Sequence, residues 1–150
     1  EDADNQYPAL YGDGIFPQLS TIVARYSSPD YYEDVIENFK HFSLDLPNLH
    51  CGFSTDFEMI EVIKSRTWDF IYIDGSHDYD VVKSDFDNCS SVLSSGGIIV
   101  LDDSAIYTSF KSPIYSSAGH PGPSRLANEI NREVFKEILS VGHNRVFQKK

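Results

Sequence analysis

The sequence predicts a single α/β domain, 1–150, built as a three-layer sandwich: helices cover a mostly parallel sheet, and an antiparallel hairpin ends the chain. Short apolar runs alternate with segments of helical periodicity, which is the pattern of consecutive βαβ units. The clearest unit covers residues 68–104. Its first strand is the apolar run 70–73, typical of a strand buried on both faces of a sheet. Its second strand, 98–101, ends directly before Asp102 and Asp103.

Periodicity and the residues that begin or end helices assign most of the remaining chain. Residues 1–18 contain two prolines and a lone Gly12-Asp13-Gly14, so we expect an irregular opening segment. The other expected elements are strands at 19–26 and 48–53, helices that begin at Ser28, at the capping-box residue Thr55 and at Ser124, a helix that carries Val82, Phe86, Cys89 and Leu93 and is closed by Gly96 and Gly97, and a hairpin around 142–144. In the last helix, Leu126, Ile130, Val134 and Ile138 are expected to face inward.

The charge balance narrows the possible partners. Lys and Arg number 12 against 23 Asp and Glu, which gives a net charge of −11. That balance argues against nucleic acid or an anionic membrane as the main partner, and no apolar run reaches membrane-spanning length. The charge balance does not itself select a substrate, and we expect a cytoplasmic protein. Cys51 and Cys89 are expected to be buried thiols in a reducing compartment.

Acidic side chains follow two neighbouring strands of the predicted sheet. Asp74 comes directly after the strand 70–73, and Asp102 and Asp103 follow the strand 98–101. The carboxyl ends of parallel strands meet at one edge of a sheet, where ligands of open α/β sheets bind. Three clustered carboxylates repel one another, and a hard divalent cation would remove that cost. These residues are therefore candidate metal ligands; the alternative is that they cap helices and turns.

Histidines occur in three of the predicted turns. His77 follows Asp74 by three residues and is a candidate general base, since its ordinary pKa is near neutrality; a metal ligand or a plain turn residue are the alternatives. The rigid segment His120–Ser124 could close over a substrate or be a structured turn. His143 is expected to be a turn residue. Arg125 could bind an acidic substrate or pair on the surface.

The segment WDFIYIDGSHDYDVVKSDFDNCSSVLSSGGIIVLDD resembles the second half of class I S-adenosylmethionine-dependent methyltransferases, which have a Rossmann-like sheet. It is most similar to small-molecule O-methyltransferases with I-D-G-S-H and D-D strand ends, such as the macrolide-sugar and cephalosporin-biosynthesis groups. The resemblance implies S-adenosylmethionine and Mg²⁺ or another divalent cation as cofactors. It implies Asp74, Asp102 and Asp103 as metal ligands and His77 as the base. Asp74 would also lie near the methyl donor, and Gly52, Phe53 and Ser54 would form a turn that approaches its adenine.

One element of the resembled family is not matched. No strand followed by a glycine-rich E-x-G-x-x-x-G loop precedes the strand 19–26. Either the chain is truncated at its amino end or its donor site is degenerate. A sheet that lacks this strand would expose unpaired backbone groups, so a homodimer is a possible consequence.

The sequence therefore supports two main functions and a weaker third. The first is a metal-assisted O-methyltransferase that acts on a small hydroxylated molecule. The second is a non-catalytic or degenerate methyltransferase-like module that serves in binding or assembly. The third is a metal-dependent hydrolase or hydroxylase-type partner that uses the same carboxylates.

Overall fold

A computed structural model describes residues 9–13, 18–23 and 30–150 of the chain. Its strands are β1 Ala9–Asp13, β2 Gln18–Val23, β3 Asn48–Cys51, β4 Trp68–Ile73, β5 Leu93–Leu101, β6 Phe135–Val141 and β7 Asn144–Lys149. Its helices are α1 Asp30–His41, α2 Phe57–Lys64, α3 Tyr79–Val92 and α4 Pro121–Glu129. The described part of the chain is thus a mixed α/β fold, as the sequence predicts. The predicted helix-starting residue Ser28 lies outside the described residues.

The seven described strands form one sheet in the order β3-β2-β1-β4-β5-β7-β6. β2 pairs in parallel with β3, and β4 pairs in parallel with β5. β1 is antiparallel to both β2 and β4, while β7 is antiparallel to both β5 and β6. Five strands consequently point the same way and two point the other way, so the sheet is mixed. The predicted terminal hairpin is confirmed as β6 and β7.

The strand expected to be missing is not confirmed as missing. β1 lies within the segment 1–18 that the sequence predicts to be irregular, and it fills the centre of the sheet between β2 and β4. β1 contains few apolar residues, so its sequence gives little sign of a central strand. Backbone pairing with a strand on each side holds it in place instead. The backbone groups that a missing strand would leave unpaired are therefore paired with β1. The homodimer remains a prediction, but an unpaired strand at this position no longer supports it.

One face of the sheet is packed against helices. Alternate residues of β4 and β5, such as Ile71, Ile73, Ile99 and Leu101, are fully or almost fully buried there. Since side chains alternate between the faces of a strand, Phe70 points the other way and is 39% exposed. α3 lies on the buried face and contacts both α2 and α4. The three-layer arrangement stays a prediction.

Trp68 fixes the start of β4 beneath α2. Its side chain is 1% exposed, and its indole N–H donates to the Ile63 carbonyl of α2 at 2.7 Å. A buried indole needs such a partner, because an unpaired polar group is costly in a core. This contact fixes the position at which β4 begins, and β4 then runs to the opposite edge of the sheet.

The boundaries of α2 and β5 differ from the predictions. The residue that precedes α2 is Asp56, not Thr55, and its carboxylate accepts from the Phe53 N–H at 3.1 Å rather than capping the helix. Gly96 and Gly97 do not close the crossover, because β5 begins at Leu93 and runs through them. Gly96 has φ +79°, a conformation that glycine adopts without steric cost, where the β4–β5 register shifts.

The last helix is shorter than predicted and begins earlier. α4 starts at Pro121, with His120 before it, and ends at Glu129. Asn131 then forms a turn in which its side chain accepts from the Glu133 N–H at 2.8 Å. The helical spacing of Val134 and Ile138 is therefore misleading, since β6 contains Ile138 and Val134 precedes it.

Two further predictions concern exposure and membranes. Cys89 is buried as predicted, whereas Cys51 is exposed, because it stands at the end of the short strand β3. Among the described residues, no helix is both long and apolar enough to cross a membrane.

Candidate active site

Two paired strand ends bring the predicted acidic residues together. Ile73 of β4 is paired with Leu101 of β5, and the next residue, Asp102, donates its N–H to the Ile73 carbonyl at 3.0 Å. Asp74 therefore stands beside Asp102, with Asp103 next in the chain. We refer to Asp74, Asp102 and Asp103 as the acidic rim. Their metal-binding role stays a prediction, while their convergence is a feature of the structure.

Burial and neighbouring negative charge raise the pKa of Asp74 in the acidic rim. Partial burial, followed by the charge of Asp102 and then a hydrogen bond with Asp102, raises the pKa of Asp74 to about 6. Burial and the same carboxylates also raise the pKa of Tyr72, whose hydroxyl donates to Asn144 Oδ1 at 2.9 Å. A cation at this edge would relieve the repulsion among the three carboxylates. Carboxylate is the ligand type that such a cation prefers, and the binding of one ion by all three carboxylates stays a prediction.

His77 lies at the acidic rim, as predicted. Its Nε2 is 3.1 Å from Asp103 Oδ2, and the side chain is 17% exposed. Its Nδ1 is buried. Nε2 is therefore the ring nitrogen that contacts the acidic rim, on the side of Asp103. The turn that carries His77 is followed directly by α3, whose N-terminus is capped by the Asp78 carboxylate.

A short glycine-flanked segment presses against both strand ends. A Cβ on Gly119 would lie 2.1 Å from the Asp103 carbonyl oxygen, and a Cβ on Gly122 would lie 2.1 Å from the His77 carbonyl oxygen. Only glycine allows approach this close. Between them, His120 donates its N–H to the Asp103 carbonyl at 2.8 Å. This contact places the His120 ring on the His77 ring, with 3.5 Å between centroids and 11° between planes.

His143 approaches the acidic rim from the β6–β7 turn. Its Nε2 is 3.1 Å from Asp102 Oδ1, and its carbonyl accepts from the Ser104 N–H at 2.8 Å. Within the described part of the chain, two groups of side chains have ligand atoms close enough to share a metal ion: His77, Asp103 and His120 form one, and Asp102, Asp103 and His143 form the other. Asp74 belongs to neither group.

The predicted donor turn lies at the same edge of the sheet, at the end of β3. Gly52 is buried, and a Cβ there would meet the Met59 side chain at 2.8 Å. Phe53 is 40% exposed, which leaves its ring available for a flat ligand. Ser54 lies near Asp85 of α3 and lowers the pKa of that carboxyl, although burial is the larger effect and raises it to about 6. β2 and β1 stand between β3 and β4, so this turn does not adjoin the acidic rim directly.

The sequence does not indicate the contacts of three residues of this region. It places His143 in a turn, which is confirmed, and His120 in a segment that could close over a substrate, while no pattern points to Asp85. The G-H-P-G sequence around His120 is a signal that could have found it, since two glycines so close together indicate a tight approach of backbones. Arg125, a candidate for substrate binding, instead pairs with Glu129 at 2.8 Å on the surface.

Comparison with known proteins identifies the family. A family model described as a methyltransferase domain matches residues 11–104, which is more than half of the chain and includes the end of β1, the predicted donor turn and the acidic rim. No curated protein matches the sequence significantly. The chain therefore belongs to the methyltransferase-domain family of the class I, S-adenosylmethionine-dependent type.

Proposed function

We propose that this chain is an S-adenosylmethionine-dependent O-methyltransferase that acts on a small hydroxylated molecule with the help of a divalent cation. Family membership supports methyl transfer and the donor. The observation that carries the finer proposal is the convergence of three carboxylates and His77 at two paired strand ends. A hydroxyl is the acceptor that such a group suits, because it must lose a proton as its oxygen attacks the methyl group.

The acidic rim would hold the cation. Asp74, Asp102 and Asp103 supply the oxygen ligands that Mg²⁺ prefers. When bound, a divalent cation lowers the pKa of a hydroxyl and orients it. The carboxylates therefore serve to bind, and their negative charge also excludes anionic acceptors from this edge.

His77 would remove the proton of the acceptor hydroxyl. Its Nδ1 is buried, so Nε2, which stands beside Asp103, would be the nitrogen that takes the proton. A carboxylate beside Nε2 favours the tautomer that carries its proton on this nitrogen. Nε2 would therefore be free to take the proton of the acceptor only when the Asp103 carboxylate binds the cation instead of Nε2. The His120 ring, stacked on one face of the His77 ring, keeps the His77 ring from turning away from the acidic rim.

Gly52, Phe53 and Ser54 would receive the adenine of the donor. The exposed Phe53 ring offers a stacking surface, and Asp74 at the end of β4 would lie near the methyl-bearing part. The protein's main contribution to rate would be to hold the methyl group and the acceptor oxygen in line.

One observation favours the second candidate, a methyltransferase-like module that does not turn over. β1 is antiparallel to β4, with Ala9 beside Ile73 and Gly12 beside Phe70. Gly12 and Asp13 consequently lie away from the acidic rim, whereas a donor-binding glycine turn is expected at the edge where ligands bind.

Titration calorimetry with S-adenosylmethionine separates the two candidates. The enzyme proposal predicts saturable heat at donor concentrations up to about 1 mM, a range typical of substrates. Asp74→Asn should weaken this binding, while Asp45→Asn, the same substitution at an exposed position between α1 and β3, should not. An absence of saturable heat with the wild-type chain, with and without Mg²⁺, would support the non-catalytic module instead.

A further inference from the structure

We propose that Asp102, Asp103 and His143 form a mixed carboxylate and imidazole site for a transition-metal ion of the Mn²⁺, Co²⁺ or Zn²⁺ class. This inference concerns the same site as the proposed function. Only the use of the ion in methyl transfer rests on that function. Metal binding itself is measured without donor or acceptor, so the two proposals can fail separately.

The geometry of three side chains from two elements carries the inference. Asp102 and Asp103 follow β5, and His143 stands in the β6–β7 turn. One ligand atom from each lies within 4.8 Å of the others, and all three side chains are half-buried. His143 Nε2 and Asp102 Oδ1 are 3.1 Å apart. These atoms can close around one ion with small side-chain rotations.

Backbone contacts hold this arrangement in place. The Ser104 N–H donates to the His143 carbonyl at 2.8 Å, which ties the β6–β7 turn to the chain just after the acidic pair. The Asp103 N–H donates to Asp102 Oδ1 at 2.9 Å, which orients the Asp102 carboxylate. The ligand atoms are thus positioned by fixed backbone, as a metal site requires.

The imidazole sets the class of metal. Mg²⁺ and Ca²⁺ are hard cations that take oxygen ligands. Imidazole nitrogen instead suits transition metals, and their affinity for a site with nitrogen and oxygen ligands rises along the first-row series. A site that includes His143 should therefore prefer Co²⁺ or Zn²⁺ to Mg²⁺.

The other possible group, His77, Asp103 and His120, does not suit one ion. An imidazole binds a metal through a lone pair in the plane of its ring, at about 2.0 to 2.1 Å. The His77 and His120 rings are nearly parallel, with centroids 3.5 Å apart. An ion cannot lie in both planes at that distance. His120 is therefore a stacking partner of His77, and its substitution serves as the matched control.

Cobalt titration of the whole chain tests the inference. Co²⁺ binding is followed by visible absorption and by calorimetry, and Mg²⁺ is titrated in parallel. We expect Co²⁺ to bind more tightly than Mg²⁺. His143→Gln should weaken Co²⁺ binding by at least about 10-fold and change Mg²⁺ binding little, while His120→Gln should leave both unchanged. Thermal unfolding confirms that each variant is folded, and His143→Asn provides a second variant suited to a turn.

A measurement on the wild-type chain completes the test. Paramagnetic Mn²⁺ should broaden the ring-proton resonances of His143 before those of His50, which lies on β3. The inference is overturned if the chain does not bind Co²⁺, if the His143 variants bind it as well as the wild type, if His120→Gln abolishes binding instead, or if Mn²⁺ leaves the His143 resonances sharp. Cobalt binding that depends on His143, in a chain that gives no heat with S-adenosylmethionine, would support the site and refute methyl transfer.

Discussion

Asp103 combines an unusual backbone conformation with contacts to two elements. Its φ is +48°, in the left-handed region that few residues other than glycine adopt, although Asp tolerates it. This conformation turns its carbonyl toward the His120 N–H and its carboxylate toward His77. Strained positions of this kind concentrate at functional sites. One residue thus links the strand end, the G-H-P-G segment and the candidate base.

The role of His77 can be tested by removing its basicity. His77→Gln should lower methyl transfer by about 10²- to 10⁴-fold, the usual contribution of a general base. Donor affinity should stay the same, because the substitution spares the turn Gly52–Ser54. The measurement is single-turnover transfer from labelled donor to a hydroxylated acceptor. An unchanged rate would mean that His77 only packs against His120.

Asp85 is a buried acid whose contribution to the free energy of unfolding depends on pH. Burial raises the pKa of its carboxyl to about 6, above an unfolded value of about 3.8. The folded chain then binds more protons than the unfolded chain between these values, so this group makes stability fall as pH rises from about 4 to about 6. Asp85→Asn should raise the free energy of unfolding by up to about 3 kcal/mol at pH 8.

The same comparison at lower pH provides the check on Asp85. Near pH 4.5, where the folded carboxyl is protonated, the difference in free energy of unfolding between Asp85→Asn and the wild type should become smaller. Urea unfolding at pH 8 and at pH 4.5 measures this difference. Asp87→Asn, an exposed position on α3, should show no such dependence beyond the loss of its pairing with Lys83. A gap at Asp85 that does not vary with pH would contradict the raised pKa.

Among the elements, α4 contacts both strand ends of the candidate site through its first turn. The G-H-P-G segment that begins it contacts the backbone after β4 and the backbone after β5. Ser124, buried within α4, accepts from the Ile106 N–H at 3.2 Å and so fixes the chain that leaves the acidic rim. This element therefore holds the two strand ends in one arrangement.

Gly122→Ala tests the close approach of α4. The added Cβ would meet the His77 carbonyl oxygen and, at 2.9 Å, the Tyr79 nitrogen, so backbone must move. We expect a loss of about 1 to 3 kcal/mol in the free energy of unfolding, as for other overpacked sites, and displacement of the His120 ring from His77. Gly142→Ala is the control, since a Cβ there meets nothing within 4 Å and only its φ of +60° opposes the change. Equal effects on the histidine ring resonances would contradict this account.

The elements also show what sequence patterns can predict. β4, α3 and the acidic pair after β5 follow from an apolar run, the helical spacing of Val82 and Phe86, and a strand end, all of which depend on neighbours in sequence. β1 could not be predicted in the same way, because pairing with β2 and β4 holds it rather than its own composition. His143 was assigned only to a turn, since its partner Asp102 is distant in sequence. Val134 and Ile138 were placed in a helix because their spacing fits one, whereas the Asn131 turn redirects the chain.

At the scale of the whole molecule, the parallel pairs β2–β3 and β4–β5 direct their carboxyl ends to one edge. That edge carries the acidic rim, the donor turn Gly52–Ser54 and the histidines from three turns. At the other edge, a cleft of about 380 Å³ adjoins the starts of β3 and β4, with Asn48, His50 and Trp68 in its lining. The two edges offer different chemistry: carboxylates and imidazoles at one, and a largely apolar cleft at the other.

The position of donor binding tests the central claim most directly. An isotope-labelled chain titrated with S-adenosylmethionine should show amide resonance shifts at Gly52, Phe53 and Ser54 and at the turn 74–77. These shifts should saturate together, since they report one ligand across one edge of the sheet. An absence of shifts up to about 1 mM donor, or shifts confined to the cleft beside His50 and Trp68, would contradict the assignment of the methyltransferase site.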